Sequence, residues 1–157
     1  MADEIHTADQ AAIAALRQNH IGRLLLNAQR NYSLQALRKL RERGHAGLGL
    51  EHTNLIAQLD LHGTRMTTLA ERLAVTKQAI GKVVGELEAK GYVRREVDPA
   101  DRRAAVISFT AEGWRFLQDA HAVKQEIEAE YTAALGAHDM LVLRQLLTRL
   151  VHGDAGA

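Results

Sequence analysis

Residues 69–109, LAERLAVTKQAIGKVVGELEAKGYVRREVDPADRRAAVISF, decide how this chain reads. Ile80, Val83, Val84 and Leu87 recur at i, i+3, i+4 and i+7, the spacing of one buried stripe on an α-helix. Lys77, Gln78, Gly81, Lys82 and Gly85 form a second stripe that carries no bulky apolar side chain. Lysine and glutamine reach phosphates and base edges, and two glycines lower the helix profile so that its backbone can approach a groove. A lone amphipathic helix with such a face is more often simply solvated; the elements on either side argue for a partner.

Upstream, residues 64–74 predict a shorter helix with Leu69, Ala70 and Leu73 turned inward. Thr64 or Thr67 is a candidate cap, and Thr68 with Glu71 has capping-box spacing. Ala74-Val75 then makes a tight connection, and Thr76 is placed to cap the next helix. Two short helices joined in this way form a helix-turn-helix, whose second helix enters the major groove. Downstream, Lys90-Gly91 is a helix stop, a cation at the negative end of the dipole followed by a residue that tolerates a left-handed cap. Val93, Arg95 and Val97 share one side of a strand, and Ala105, Ile107 and Phe109 one side of the next. The hairpin turn, residues 98–103, places Arg102 and Arg103 near its tip, suited to backbone phosphates or a narrow minor groove. The fold class expected is mainly α with a small β-hairpin wing, a winged helix-turn-helix on a dimeric helical framework.

The order LAERL, VTKQAI, ELEAKGYV, DPADRRA, FTAEG resembles the MarR family of bacterial transcription regulators, with looser similarity over about residues 21–151. The resemblance implies a homodimer with intertwined terminal helices and two winged lobes on a near-palindromic DNA site, in many members responsive to a small molecule. It places the groove-reading helix on residues 76–90 and the wing on residues 93–109, with Arg103 at the most typical wing arginine. Many relatives pair that arginine with an aspartate in the second half of the recognition helix; here the position is Gly85, which leaves Arg103 to Asp98, to Asp101 or to no carboxylate. Gly81 likewise stands where a side chain often contacts a base. The DNA-binding residues expected are therefore Thr76, Lys77, Gln78, Gly81, Lys82, Arg102 and Arg103. The family's effector pocket, between dimerisation helices and DNA-binding lobe, would draw on Tyr32, His52, Trp114 or His121, residue types that are more often plain core or interface.

Composition agrees. The 157 residues allow one real core, and a single proline with few aromatics suits a helical chain. The net charge is only +1, yet it is segregated. Residues 64–103 carry nine bases against six acids, and residues 110–157 four bases against seven acids. The chain is basic where DNA should lie and acidic where it should not.

The flanks read as helices. Residues 9–43 form one long helix with a break near His20-Ile21-Gly22, ending in the cluster Arg38, Lys39, Arg41 and Arg43, a solvated helix end or an extra phosphate contact. A loop covers residues 44–49, and a helix follows over about 51–61. Thr110 starts a helix to about Leu135 with Trp114, Leu117, Val123, Ile127 and Tyr131 along it; Gly136 breaks it. The last helix, residues 139–151, is apolar enough through Met140, Leu141, Leu143, Leu146, Leu147, Leu150 and Val151 to need a partner. The domain expectation is a dimerisation segment over 1–45, the winged lobe over 46–109, dimerisation helices over 110–151 and a disordered tail over 152–157.

No apolar run suits a membrane, and the acidic start MADEIHTADQ is unlike a signal peptide, so a cytoplasmic protein is expected. The absence of cysteine removes disulfides and thiol chemistry. Eight histidines show no tight ligand spacing, so neither metal nor cofactor is expected. No nucleophile elbow, phosphate loop or paired ligand motif indicates an enzyme. The function expected is a ligand-responsive repressor on a pseudo-palindromic operator; the alternative is a winged-helix protein-interaction module without specific DNA binding.

Overall fold

The computed structural model describes Gln10, Ile13, residues 20–98 and residues 100–153. The chain divides into two compact units, Met1–Gln35 and Ala36–Ala157. In the first, His20 is non-helical and its Nδ1 accepts the Gly22 N–H at 3.1 Å, so that α1 (Ile21–Glu42) begins at the expected break. Most of the helix expected before it, and residues 154–157 of the expected tail, lie outside the described residues. His152, assigned to that tail, is instead the last residue of a helix.

The second unit runs α2 (Leu50–Ile56), β1 (Thr64–Arg65), α3 (Met66–Leu73), α4 (Lys77–Ala89), β2 (Val93–Val97), β3 (Ala105–Phe109), α5 (Ala111–Leu135) and α6 (Ala137–His152). β1 replaces the first turn of the helix expected over 64–74. Thr64 and Arg65 pair antiparallel with Ile107 and Val106, so that the wing is a three-stranded sheet in the order β1-β3-β2. Thr64 caps nothing: its hydroxyl accepts the Asp60 N–H and donates to the Asp60 carboxylate. Arg65 occupies the cap position of α3 without a side-chain cap bond, so neither Thr67 nor the Thr68–Glu71 box serves there. α2 is also shorter than expected, because residues 57–63 turn to bring β1 onto the sheet.

α1, α3 and α4 end in the same way. Tyr92 N–H reaches Leu87 C=O and Gly91 N–H reaches Glu88 C=O, a Schellman motif with Gly91 at φ +80°. The same pair of bonds closes α1 at Gly44 and α3 at Ala74. Ala74 holds φ +52°, where a Cβ costs about 1–2 kcal/mol, and this strained alanine makes the turn of the helix-turn-helix. Thr76 caps α4 as expected, accepting the Ala79 N–H at 3.2 Å.

The core of the lobe sits among α2, α3, α4 and the sheet. Leu55, Leu69, Ile80, Val84, Leu87 and Ile107 are at most 2% exposed, whereas Val83 is only half-buried at the edge of its stripe. α5 enters through Gly113, where an added Cβ would stand 2.1 Å from the Tyr92 carbonyl oxygen, a contact only glycine permits. Its buried frame is Gly113, Phe116, Val123 and Ile127. Trp114, counted with the apolar residues of this helix, is 43% exposed, because that frame turns position 114 away.

A buried polar cluster binds the loop after α1 to α5. Fully buried His45 donates from Nε2 to the Asp119 carboxylate at 3.0 Å, which leaves Nδ1 to accept the Tyr92 hydroxyl proton at 2.9 Å. Around it, Lys39 reaches Glu130 at 2.7 Å and Glu126 at 3.3 Å, and Arg43 pairs with Glu126. These partners hold the Lys39 ammonium above its ordinary range and the Glu126 carboxyl below its own. Lys39 and Arg43 are therefore committed to α5 rather than offered as a phosphate contact or left as a solvated helix end.

Candidate nucleic-acid interface

α4 presents one face to the core and another to solvent. Ile80, Val84 and Leu87 anchor it, and Thr76, Lys77, Gln78 and Lys82 are exposed on the side away from them. Gly81 and Gly85 lie half-exposed along this side. An added Cβ at Gly85 would meet nothing within 4 Å, and one at Gly81 only the Met66 methyl at 3.7 Å. Packing within the lobe thus asks for neither glycine, although each weakens the helix by about 0.5–1 kcal/mol relative to alanine.

The expected hairpin forms, with Val93 opposite Phe109, Arg95 opposite Ile107 and Val97 opposite Ala105. Its turn closes through Asp98 N–H to Ala104 C=O and Ala104 N–H to Asp101 C=O. Two aspartates brace this turn from within. Asp98 Oδ1 accepts the Ala100 N–H at 2.7 Å, and Asp101 Oδ1 accepts the Arg103 N–H at 3.0 Å. Asp98 is only 6% exposed, and its Oδ2 takes the Arg65 Nε–H at 2.6 Å. The Ala100 N–H and the Arg65 guanidinium together hold its carboxyl below the usual range. Arg103 is bound by neither aspartate through its side chain; among the described residues no ion pair engages Arg102 or Arg103. A helix-to-wing ion pair does exist, but farther down the sheet, where Glu88 meets Arg95 at 3.2 Å.

Lys77 and Arg103 meet across a cleft of about 340 Å³ lined also by Arg65, Met66, Thr67, Asp101, Ala104 and Ala105. Three cations therefore border one cavity against a single acid, at the junction of α3, α4 and the wing. Thr76, Gln78, Gly81 and Lys82 continue from it along α4, and Arg102 stands exposed beside Arg103. Arg65 and Thr67 were not among the expected contacts; both fell inside the helix expected over residues 64–74, and the signal available was Arg65 as one cation of a basic stretch.

The expected effector residues are not drawn together in this way. His52 is buried and fully used, its Nδ1 accepting the Gly49 N–H at 2.9 Å and its Nε2 donating to Glu86 at 2.8 Å. Glu51, His52 and Glu86 form a cluster of potential metal ligands, but the Gly49 N–H fixes the proton on Nε2, where a metal would have to bind. Trp114 lies against Phe109 at 5.7 Å between ring centroids, and His121 is exposed farther along α5. Among the described residues no hydrogen bond or ring contact joins His52, Trp114 and His121. Tyr32 is half-buried on α1, in the other unit.

Among the described residues no helix is long and apolar enough to cross a membrane. The MarR family model matches residues 46–104, which span α2, the helix-turn-helix and the wing up to the start of β3. The chain is similar to the transcriptional regulator HosA of Escherichia coli O111:H-, 29% identical over 93 residues that cover 59% of this chain and 69% of HosA. It is also similar to the HTH-type transcriptional repressor MdtR of Bacillus subtilis, 29% identical over 61% of this chain and 63% of the relative. The apo structure of wild-type MarR from Escherichia coli superposes with a TM-score of 0.70, at 20% identity over 83% of this chain and 95% of that one, and so shares its fold. Family members are DNA-binding regulators, typically dimeric, and not enzymes. With its helix-turn-helix, wing and matching residues in one order, residues 46–104 are a MarR-family winged helix-turn-helix region of the kind found in transcriptional regulators.

Proposed function

We propose that the chain acts in the cytoplasm as a homodimeric, ligand-responsive repressor of a pseudo-palindromic DNA site. Two copies of α4, about 34 Å apart, would enter successive major grooves, each reading one half-site. Thr76, Lys77, Gln78, Gly81 and Lys82 face the groove, and Arg102 and Arg103 take the flanking backbone or minor groove. The observation that carries this reading is the cleft bordered by Arg65, Lys77 and Arg103. A phosphate there meets the Lys77 and Arg103 charges and the start of α3, whose first N–H groups lack a side-chain cap, while Arg65 is paired with Asp98.

Dimerisation is assigned to residues 1–45 and 110–151. It is supported by α6, on which Leu141, Leu146, Leu150 and Val151 are all at least 48% exposed and no residue is buried. An effector that fits the helical framework better when the lobes are misspaced would release DNA. Trp114 and His121, which share α5, and Tyr32 on α1 are candidates for its contacts; His52 is already committed to Gly49 and Glu86.

Fluorescence anisotropy tests the reading, with the duplex upstream of the chain's own gene against an unrelated duplex across a salt series. Specific binding that weakens in Lys82→Ala and Arg103→Ala, each lowering the slope of log K against log salt by about 0.9, supports it. Equal weak binding to both duplexes, indifferent to either change, excludes that duplex as operator and favours a protein partner.

A further inference from the structure

Two ion pairs tie the wing to the helices beneath it, and they differ in kind. Glu88–Arg95 joins side chains that are 32% and 41% exposed, a pair that water and salt screen. Arg65–Asp98 joins an arginine at the start of α3 to a carboxylate only 8% exposed, both of whose oxygens are bound. Oδ1 of Asp98 holds the Ala100 N–H inside the turn, and Oδ2 holds Arg65, so one side chain shapes the turn and fastens it to the helix-turn-helix. Arg103 lies in the same turn, beyond Ala100, and it borders the cleft together with Arg65 itself.

We propose that Arg65 is a positioning residue for DNA binding, which through Asp98 sets where the wing turn holds Arg103 against the cleft. The inference rests on the DNA-binding reading of that cleft but concerns a residue acting through another. Arg65 spends its Nε–H on Asp98, and β1 and the start of α3 fix its backbone on either side. Releasing the pair frees the turn from the helix-turn-helix while leaving the β2–β3 ladder intact.

The test uses the full-length protein as Arg65→Ala, Asp98→Asn and the double variant. Asp98→Asn keeps a carbonyl oxygen for the Ala100 N–H and removes the charge that holds Arg65. Hydrogen exchange of the free protein reads the turn without DNA. Faster exchange at the Asp98, Asp101 and Ala104 amides in both single variants, and no further change in the double, is the expected result. Binding is read on a 30-base-pair duplex selected by the wild-type protein from a random pool. Each single variant should bind about tenfold more weakly, within the coupling range of contacting residues, with an unchanged salt slope and no added loss in the double. Unchanged exchange overturns the proposal, as does a slope lowered by about 0.9 in Arg65→Ala alone, which would make Arg65 a direct phosphate contact. If the wild-type protein selects no duplex, the DNA-binding reading fails, and exchange still decides whether the pair holds the turn.

Discussion

The winged lobe and α6 are both rich in apolar sequence and end in opposite states. In the lobe, Leu69, Val84, Leu87 and Ile107 are completely buried, and the exposed side chains of α4 are polar or no larger than alanine. On α6 nothing is buried, and leucines and valines face outward along its length. The lobe finishes its core within one chain, so its surface is free for a polar partner. α6 has an apolar face that one chain leaves uncovered, which is the condition for an isologous contact with a second copy.

The comparison breaks first at α6. Leu143→Glu combined with Leu147→Glu should give monomers by sedimentation velocity and a loss of DNA affinity of about 100-fold or more, since two lobes then no longer bind as one. Secondary structure by circular dichroism should survive, because these side chains support no core within the chain. Next, Leu87→Ala should destabilise the lobe by about 2–5 kcal/mol in urea unfolding, the cost of a cavity at a fully buried leucine. An equal cost from Leu146→Ala in a monomeric background would erase the contrast. Thr76→Ala should cost about 1 kcal/mol by removing the α4 cap. The smallest effect sharpens the comparison most: Gly85→Ala should stabilise the lobe by about 0.5–1 kcal/mol, as nothing lies within 4 Å of the added Cβ. If DNA affinity falls while stability rises, the glycine serves the partner and not the fold.

Periodic features are legible in the sequence. The α4 stripe, the Thr76 cap, the Gly91 stop and the two strands of the wing hairpin each follow from a repeat or a cap chemistry that acts over a few residues. β1 is not, because two residues show no alternation and their partners lie far along the chain on β3. Trp114 reads as part of the apolar side of α5 because a large aromatic suggests burial, whereas the frame is set by Gly113 against the Tyr92 carbonyl. In the candidate interface, Lys77 and Arg103 are recognisable from their types and places. Arg65 counts in the sequence only as charge, since its pairing with Asp98 spans 33 residues and leaves no local trace.

The sheet order also leaves β2 on an outside edge, with β3 in the centre. An open strand is a template for a neighbouring molecule's strand, and at high concentration that route leads to aggregation. β2 carries Arg94, Arg95 and Glu96 in succession, all exposed. Strand addition there would strip water from three charged side chains and disturb the Arg94–Glu96 and Arg95–Glu88 pairs, a cost that keeps crowded copies of the wing apart.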